Sequence, residues 1–167
     1  MENNNKGIVF THTKSSSQFN LSLRKIPRTG ILQRTNNNYV YLKIDDRFIL
    51  ELFPLLQHDN ICLPPYFSVP YNIGAHISVV YKEEYQLKVN VQNVDNILFN
   101  FDVGGLYKAI VDQKKFLILK VISPSLENFR LINNLSKKPV YHGYQVDFHI
   151  TIANINQLVF NNLCLDY

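Results

Sequence analysis

His76-Ile77-Ser78-Val79 and His149-Ile150-Thr151-Ile152 repeat one pattern: histidine, aliphatic, hydroxyl, aliphatic. Successive side chains of a β-strand point to opposite faces, so each string sets an imidazole and a hydroxyl on one face and two aliphatics on the other. One face is suited to chemistry and the other to a core. An imidazole titrating near neutrality gives or takes a proton, and a hydroxyl beside it donates to an anionic oxygen. Two such pairs facing each other suit an in-line phosphodiester reaction.

Working outward from the strings, each closes a unit of the same kind. Tyr39 to Ile44 alternates as a strand, and Asp45-Asp46 then opens a segment whose apolar residues Phe48, Ile49, Leu52, Phe53 and Leu56 fall at helical spacing. Pro54 ends or kinks that helix. Phe116 to Ile122 reads as a second strand, followed by Ser123-Pro124 as cap and first helical residue, with Leu126, Phe129, Ile132 and Leu135 recurring every third position. Both units thus read strand, helix, loop, strand. The histidines lie 73 positions apart (149 minus 76), as expected of a duplicated unit.

The remainder reads more loosely. Ile8 to Phe10 and Phe19 to Leu23 are expected as short strands, and Gln86 to Val91, Ile97 to Phe101 and Leu106 to Val111 as further ones. Gly104-Gly105 and Asp112-Gln113 are expected as turns, the second closing a hairpin onto the Phe116 strand. Gln157 to Leu163 is too short to classify. The asparagine and serine runs before residue 39 read as a polar, partly flexible extension over 1–38, with a single bilobal domain over 39–167. The expected fold class is α+β: two pseudo-symmetric lobes of mainly antiparallel sheet, with flanking helices around a central cleft.

Composition narrows the function classes. At 167 residues and 46% hydrophobic, the chain is long enough for one domain with a sizeable core. The net charge of +4 comes as small groups (Arg24/Lys25/Arg28, Lys114/Lys115, Lys137/Lys138). That falls short of the dense basic face of a long-duplex binder and suits a small phosphorylated ligand. The two cysteines, Cys62 and Cys164, stand singly without metal-ligand spacing, so neither a zinc site nor a disulfide framework is expected. No apolar run approaches membrane-spanning length and no signal pattern opens the chain. A soluble, cytoplasmic monomer without a membrane or an obligate protein partner is the resulting expectation.

Of the five histidines, only His76 and His149 have a serine or threonine two positions on; His12 has Lys14, His58 has Asn60, and His142 adjoins Gly143 without such a partner. On the two motifs the chain resembles the 2H phosphoesterase superfamily, whose signature is a His-aliphatic-Ser/Thr-aliphatic string in each lobe of a pseudo-symmetric fold. The resemblance covers roughly residues 39–153. It implies that His76 and His149 are catalytic, that Ser78 and Thr151 hold the non-bridging phosphate oxygens, and that no metal or other cofactor is needed. It also implies a small nucleotide or short RNA substrate: a 2′,3′-cyclic phosphate, a 2′-5′ oligonucleotide or a 2′-linked cyclic dinucleotide, an antiviral second messenger among them. Tyr66 and Tyr71 near the first motif and Tyr141 and Tyr144 near the second are candidates for stacking on a base. Lys137 and Lys138, just before the second motif, are candidates for a flanking phosphate. The rival reading is a non-catalytic nucleotide- or RNA-binding module on the same fold.

Overall fold

The structure is a computed structural model that describes residues 8–68, 73–85, 91, 94, 96–111 and 113–156. In chain order its elements are β1 (Val9–His12), α1 (Ser17–Lys25), β2 (Thr29–Arg34), β3 (Val40–Ile44), α2 (Arg47–Leu50), a 3₁₀ turn (Phe53–Leu55), β4 (Ile61–Cys62), α3 (Pro65–Ser68), β5 (His76–Val80) and α4 (Lys82–Tyr85). They continue as β6 (Leu98–Asn100), β7 (Asp102–Val111), β8 (Lys114–Ile122), α5 (Pro124–Ile132), β9 (Val140–Tyr141), β10 (Tyr144–Gln145) and β11 (His149–Ile155). Two open antiparallel sheets result, one ordered β5-β3-β2-β6 and the other β1-β7-β8-β11-β4. The small β9-β10 hairpin stands apart.

The duplicated unit is visible in the registers. Lys43 lies opposite His76 and Tyr41 opposite Ser78; Lys120 lies opposite His149 and Ile118 opposite Thr151. In both strands the register then slips by one residue just past the hydroxyl. The extra residue is Val79 in β5 and Ile152 in β11, the fourth letter of each motif. A bulge of this kind re-aims the side chains around it. Its trace is a pair of consecutive buried residues, Val79-Val80 and Ile152-Ala153, where strict alternation would expose one of each.

One core joins the two sheets and the helices: Leu42, Ile44, Ile77 and Val79 meet Leu117, Leu119, Ile150 and Ile152, with Phe19 of α1 and Phe129 of α5. Ser123 caps α5 by accepting from the Leu126 amide while its hydroxyl donates to the Asn100 carbonyl. The third-residue pattern holds for buried Leu126 and Phe129, but Ile132 is 70% exposed at the end of the helix.

Several expectations change. Phe19 to Leu23 is helix, not strand: Ser16 accepts from the Phe19 amide as an N-cap, and Phe19 and Leu23 share one buried face at i,i+4. Gly104-Gly105 is no turn; it lies within β7, where the register slips between Val103 and Gly105 and glycine absorbs the irregularity at φ 150°. Of residues 1–38, β1 pairs with β7 and β2 sits between β3 and β6, so these segments belong to the two sheets. Cys62 is disulfide-bonded, against the expectation of no disulfide; a cysteine standing singly in the sequence has no local spacing that would signal it. The cysteines therefore give no argument for a reducing compartment. The strand expected over residues 86–91 falls mostly, and the segment 157–163 wholly, outside the described residues. Among the described residues no helix is long and apolar enough to cross a membrane.

Candidate active site

The two motif strands lie against each other across the sheets, and His76, Ser78, His149 and Thr151 all line one cavity of about 290 Å³. The alternation holds at both: Ile77 and Ile150 are fully buried in the core, while the hydroxyls are half-buried at the cleft.

Each imidazole is oriented by the carbonyl two residues before it. His76 Nδ1 bonds the Gly74 oxygen at 2.7 Å and His149 Nδ1 bonds the Asp147 oxygen at 2.8 Å. A carbonyl only accepts, so in the neutral ring Nδ1 carries the proton and Nε2 is left as a bare acceptor. Behind His76, the Asp46 carboxylate accepts from the Ala75 amide and from Lys43. Gly74, at φ 67°, passes so close to Lys43 and Asp46 that a Cβ there would overlap both. Behind His149, the Asp147 carboxylate is clamped by Lys120 at 2.7 Å and Lys138 at 2.6 Å. Burial pushes that carboxyl up, but the hydrogen bonds and charges of the two lysines outweigh it and hold it below the usual range.

Both histidines titrate below the ordinary range. Burial lowers His76 to about 4, helped by the charges of His149 and Lys43 and opposed by the bond to Gly74. Burial also lowers His149, opposed by the backbone bond to Asp147 and its carboxylate. At neutral pH both rings are therefore uncharged with Nε2 free.

The wall around this floor is built of tyrosines and of apolar side chains without hydroxyls. Tyr39, Tyr66, Tyr81 and Tyr141 line the cavity, as do Ala109, Val111, Phe116 and Ile118 from β7 and β8, and Phe10 from β1. The Tyr66 ring meets His76 edge-on with centroids 4.8 Å apart. Tyr141 packs on Tyr81 and His142, and its hairpin is closed by His142 and Gly143, both at positive φ, with the His142 amide donating to Glu83.

Of the residues singled out in the sequence, Tyr66 and Tyr141 join the motif residues at the cavity. Tyr144 pairs with Tyr141 in the hairpin but is not part of the lining. Lys138 spends its ammonium on Asp147, and Lys137 lies 3.9 Å from Glu127; neither lines the cavity. Tyr71 lies outside the described residues. Sequence reasoning missed Tyr39, Tyr81 and Phe10. Tyr39 and Tyr81 flank the first motif in space as the residue before β3 and the residue after β5, and only the β3-β5 pairing signals it. Among the described residues no three His, Cys, Asp or Glu side chains are grouped to hold a metal ion.

Beneath the site, fully buried Arg130 of α5 donates to Glu84, to the carbonyls of Val79, Ser136 and Lys138, and to the Ser136 hydroxyl. Glu84 in turn accepts from the Tyr81 amide. One guanidinium therefore ties the residue after Ser78, the backbone of Tyr81, and the lysine that clamps Asp147.

A family model for the Swiss Army Knife type of 2H phosphoesterase domain matches residues 40–160. No curated protein and no solved structure matches the chain at a significant level.

Proposed function

The chain belongs to the 2H phosphoesterase domain family, and from that premise we propose that it cleaves a small RNA-derived phosphodiester by two-histidine acid-base catalysis without a metal. The observation that carries this reading is the pair of imidazoles, each with a bare Nε2, on the floor of one cavity beside two hydroxyls. One neutral histidine takes the proton of water or of a ribose hydroxyl; the other, protonated, gives one to the departing oxygen. Ser78 and Thr151 donate to the non-bridging oxygens as charge builds on them. Attack by water opens a 2′,3′-cyclic phosphate to a monoester. Attack by a neighbouring ribose hydroxyl on a 2′-5′ linkage leaves a cyclic phosphate. A cavity near the lower end of the roughly 300–1,000 Å³ range of small-molecule sites favours a short nucleotide over long RNA, with 2′-linked cyclic dinucleotides and antiviral 2′-5′ messengers in the same class.

The titration behaviour has a direct kinetic consequence. The reactive free enzyme has one ring protonated and one neutral, and burial has moved both titrations below the ordinary 6.5. That form is lost as pH rises, so kcat/KM is expected to peak on the acid side of pH 6.5 and fall above it. A bound phosphate anion favours the imidazolium and raises its pKa by about 1–3 units. The kcat profile is accordingly expected at higher pH than the kcat/KM profile. Rate profiles from pH 4 to 9 check this; coincident profiles, or kcat/KM flat to pH 8, would contradict it.

The reaction itself is tested by offering cyclic phosphates, 2′-5′ and 3′-5′ linked oligomers and cyclic dinucleotides in excess EDTA. Cleavage of at least one at a rate unaffected by the chelator is the expected outcome. Binding without turnover would return the reading to a nucleotide-binding module, and turnover only with added metal would remove the mechanism.

A further inference from the structure

Tyr39 and Tyr81 are the residues nearest the chemistry that the duplicated motif does not explain. The Thr35–Tyr39 turn joins β2 to β3: the Thr35 amide donates to the Tyr39 carbonyl, the Tyr39 amide donates to the Thr35 hydroxyl, and Asn38 takes the left-handed conformation. It delivers the Tyr39 ring against three others, stacked on Tyr41 at 5.6 Å, tilted to Tyr81 at 6.1 Å and edge-on to His76 at 6.1 Å. Held there, the phenol oxygen lies 2.6 Å from Ser78 Oγ. The Tyr81 ring packs beside it, its backbone anchored through Glu84 to Arg130.

We propose that Tyr39 is a positioning residue for the reaction: its phenol donates to the oxygen of Ser78 and so leaves the serine's single proton to be directed into the cleft, at a phosphate oxygen. The inference rests on the phosphodiesterase reading of the same site. A serine hydroxyl has one proton and two acceptor positions, and phosphate oxygens only accept. With the Tyr39 phenol donating to the serine oxygen, the serine's own proton is left for the cleft. Burial holds the Tyr39 phenol in its protonated form, so it has a hydrogen to give. Such a donor is set before the phosphate arrives and needs no reorientation in the transition state. The arrangement is one-sided: two residues before the one opposite the hydroxyl stands Tyr39 in the first unit but Phe116, which has no hydroxyl, in the second.

The test is a double-mutant cycle in the full chain on uridine 2′,3′-cyclic phosphate, using wild type, Tyr39→Phe, Ser78→Ala and the double variant. Tyr39→Phe is expected to lower kcat roughly 5- to 10-fold with KM little changed, the size of one hydrogen bond. Ser78→Ala is expected to lower it by about 10² or more, the size of one oxyanion donor. The double variant should match Ser78→Ala alone, because the phenol has nothing left to orient. Combined with Thr151→Ala, the same tyrosine change should instead multiply the loss. An unchanged kcat in Tyr39→Phe, or the full tyrosine effect persisting without Ser78, would overturn the proposal. Calorimetric titration of the same proteins with the cyclic phosphate separates the two readings. If wild type binds without cleaving, the reaction is wrong and the coupling is read from Kd, where independence of Tyr39 and Ser78 again overturns it. A wild type that neither binds nor cleaves overturns both.

Discussion

Replacing either His76 or His149 with alanine is expected to lower kcat by about 10²- to 10⁴-fold, the worth of one positioned proton transfer. The two losses should not multiply. With one imidazole gone, the other has no partner of opposite protonation across the phosphorus, so the double variant is expected to be little worse than the weaker single one, as found when groups act as a unit. The folds should survive, because neither ring belongs to the apolar core: His76 is held by the Gly74 carbonyl and His149 by the Asp147 carbonyl at the cleft. Removing a buried imidazole that is neutral at pH 7 also leaves no orphan charge. Thermal unfolding alongside single-turnover rates checks both parts. Activity that survives the double replacement would end the two-histidine mechanism.

Arg130→Met is expected to cost about 3–5 kcal/mol of unfolding free energy, because it strands the carboxylate of Glu84 in the interior. The arginine is fully buried and the glutamate side chain is 4% exposed, with Nη2 and Oε1 2.6 Å apart. At this chain length a loss of that size lowers the midpoint by roughly 6–20 °C, a large share of the roughly 5–15 kcal/mol that holds a domain together. Glu84→Gln is expected to lose a similar amount from the other side. The double variant Arg130→Met/Glu84→Gln should lose less than the sum, since neither change then leaves a buried charge unpaired. Urea unfolding of the three proteins gives the comparison. Strict additivity, or single losses below about 1 kcal/mol as for an exposed pair, would show that the guanidinium is not the tie between Val79, Tyr81 and Lys138 described above.

What was legible in the sequence was what obeys a period. His-x-Ser and His-x-Thr alternate with period two, and the strand, helix, strand order around each set the two lobes. The bulges at Val79 and Ile152 were not legible, since an extra residue in a ladder depends on the partner strand. Phe19-Asn20-Leu21-Ser22-Leu23 fits a strand by alternation and a helix by its i,i+4 pair; the Ser16 cap and the exposure of Leu21 decide for the helix. The cavity wall was the least visible part. Phe10 reaches it because Val9 to His12 pairs with Tyr107 to Ile110, about a hundred residues away. Lys137 and Lys138 looked like phosphate contacts by position alone, and the competition of Glu127 and Asp147 for their charges appears only once the chain is folded.

The central claim is that His76 and His149 address the same phosphate. Nitrogen-15 correlation spectra of the histidine side chains, recorded near pH 7 before and after adding a non-cleavable phosphonate analogue of the cyclic phosphate, test it most directly. In the free protein both rings are expected neutral with the proton on Nδ1. On binding, both should shift together and one should take up a second proton, while His12, His58 and His142 stay unmoved. A response confined to one of the two rings, or to neither, would contradict the account.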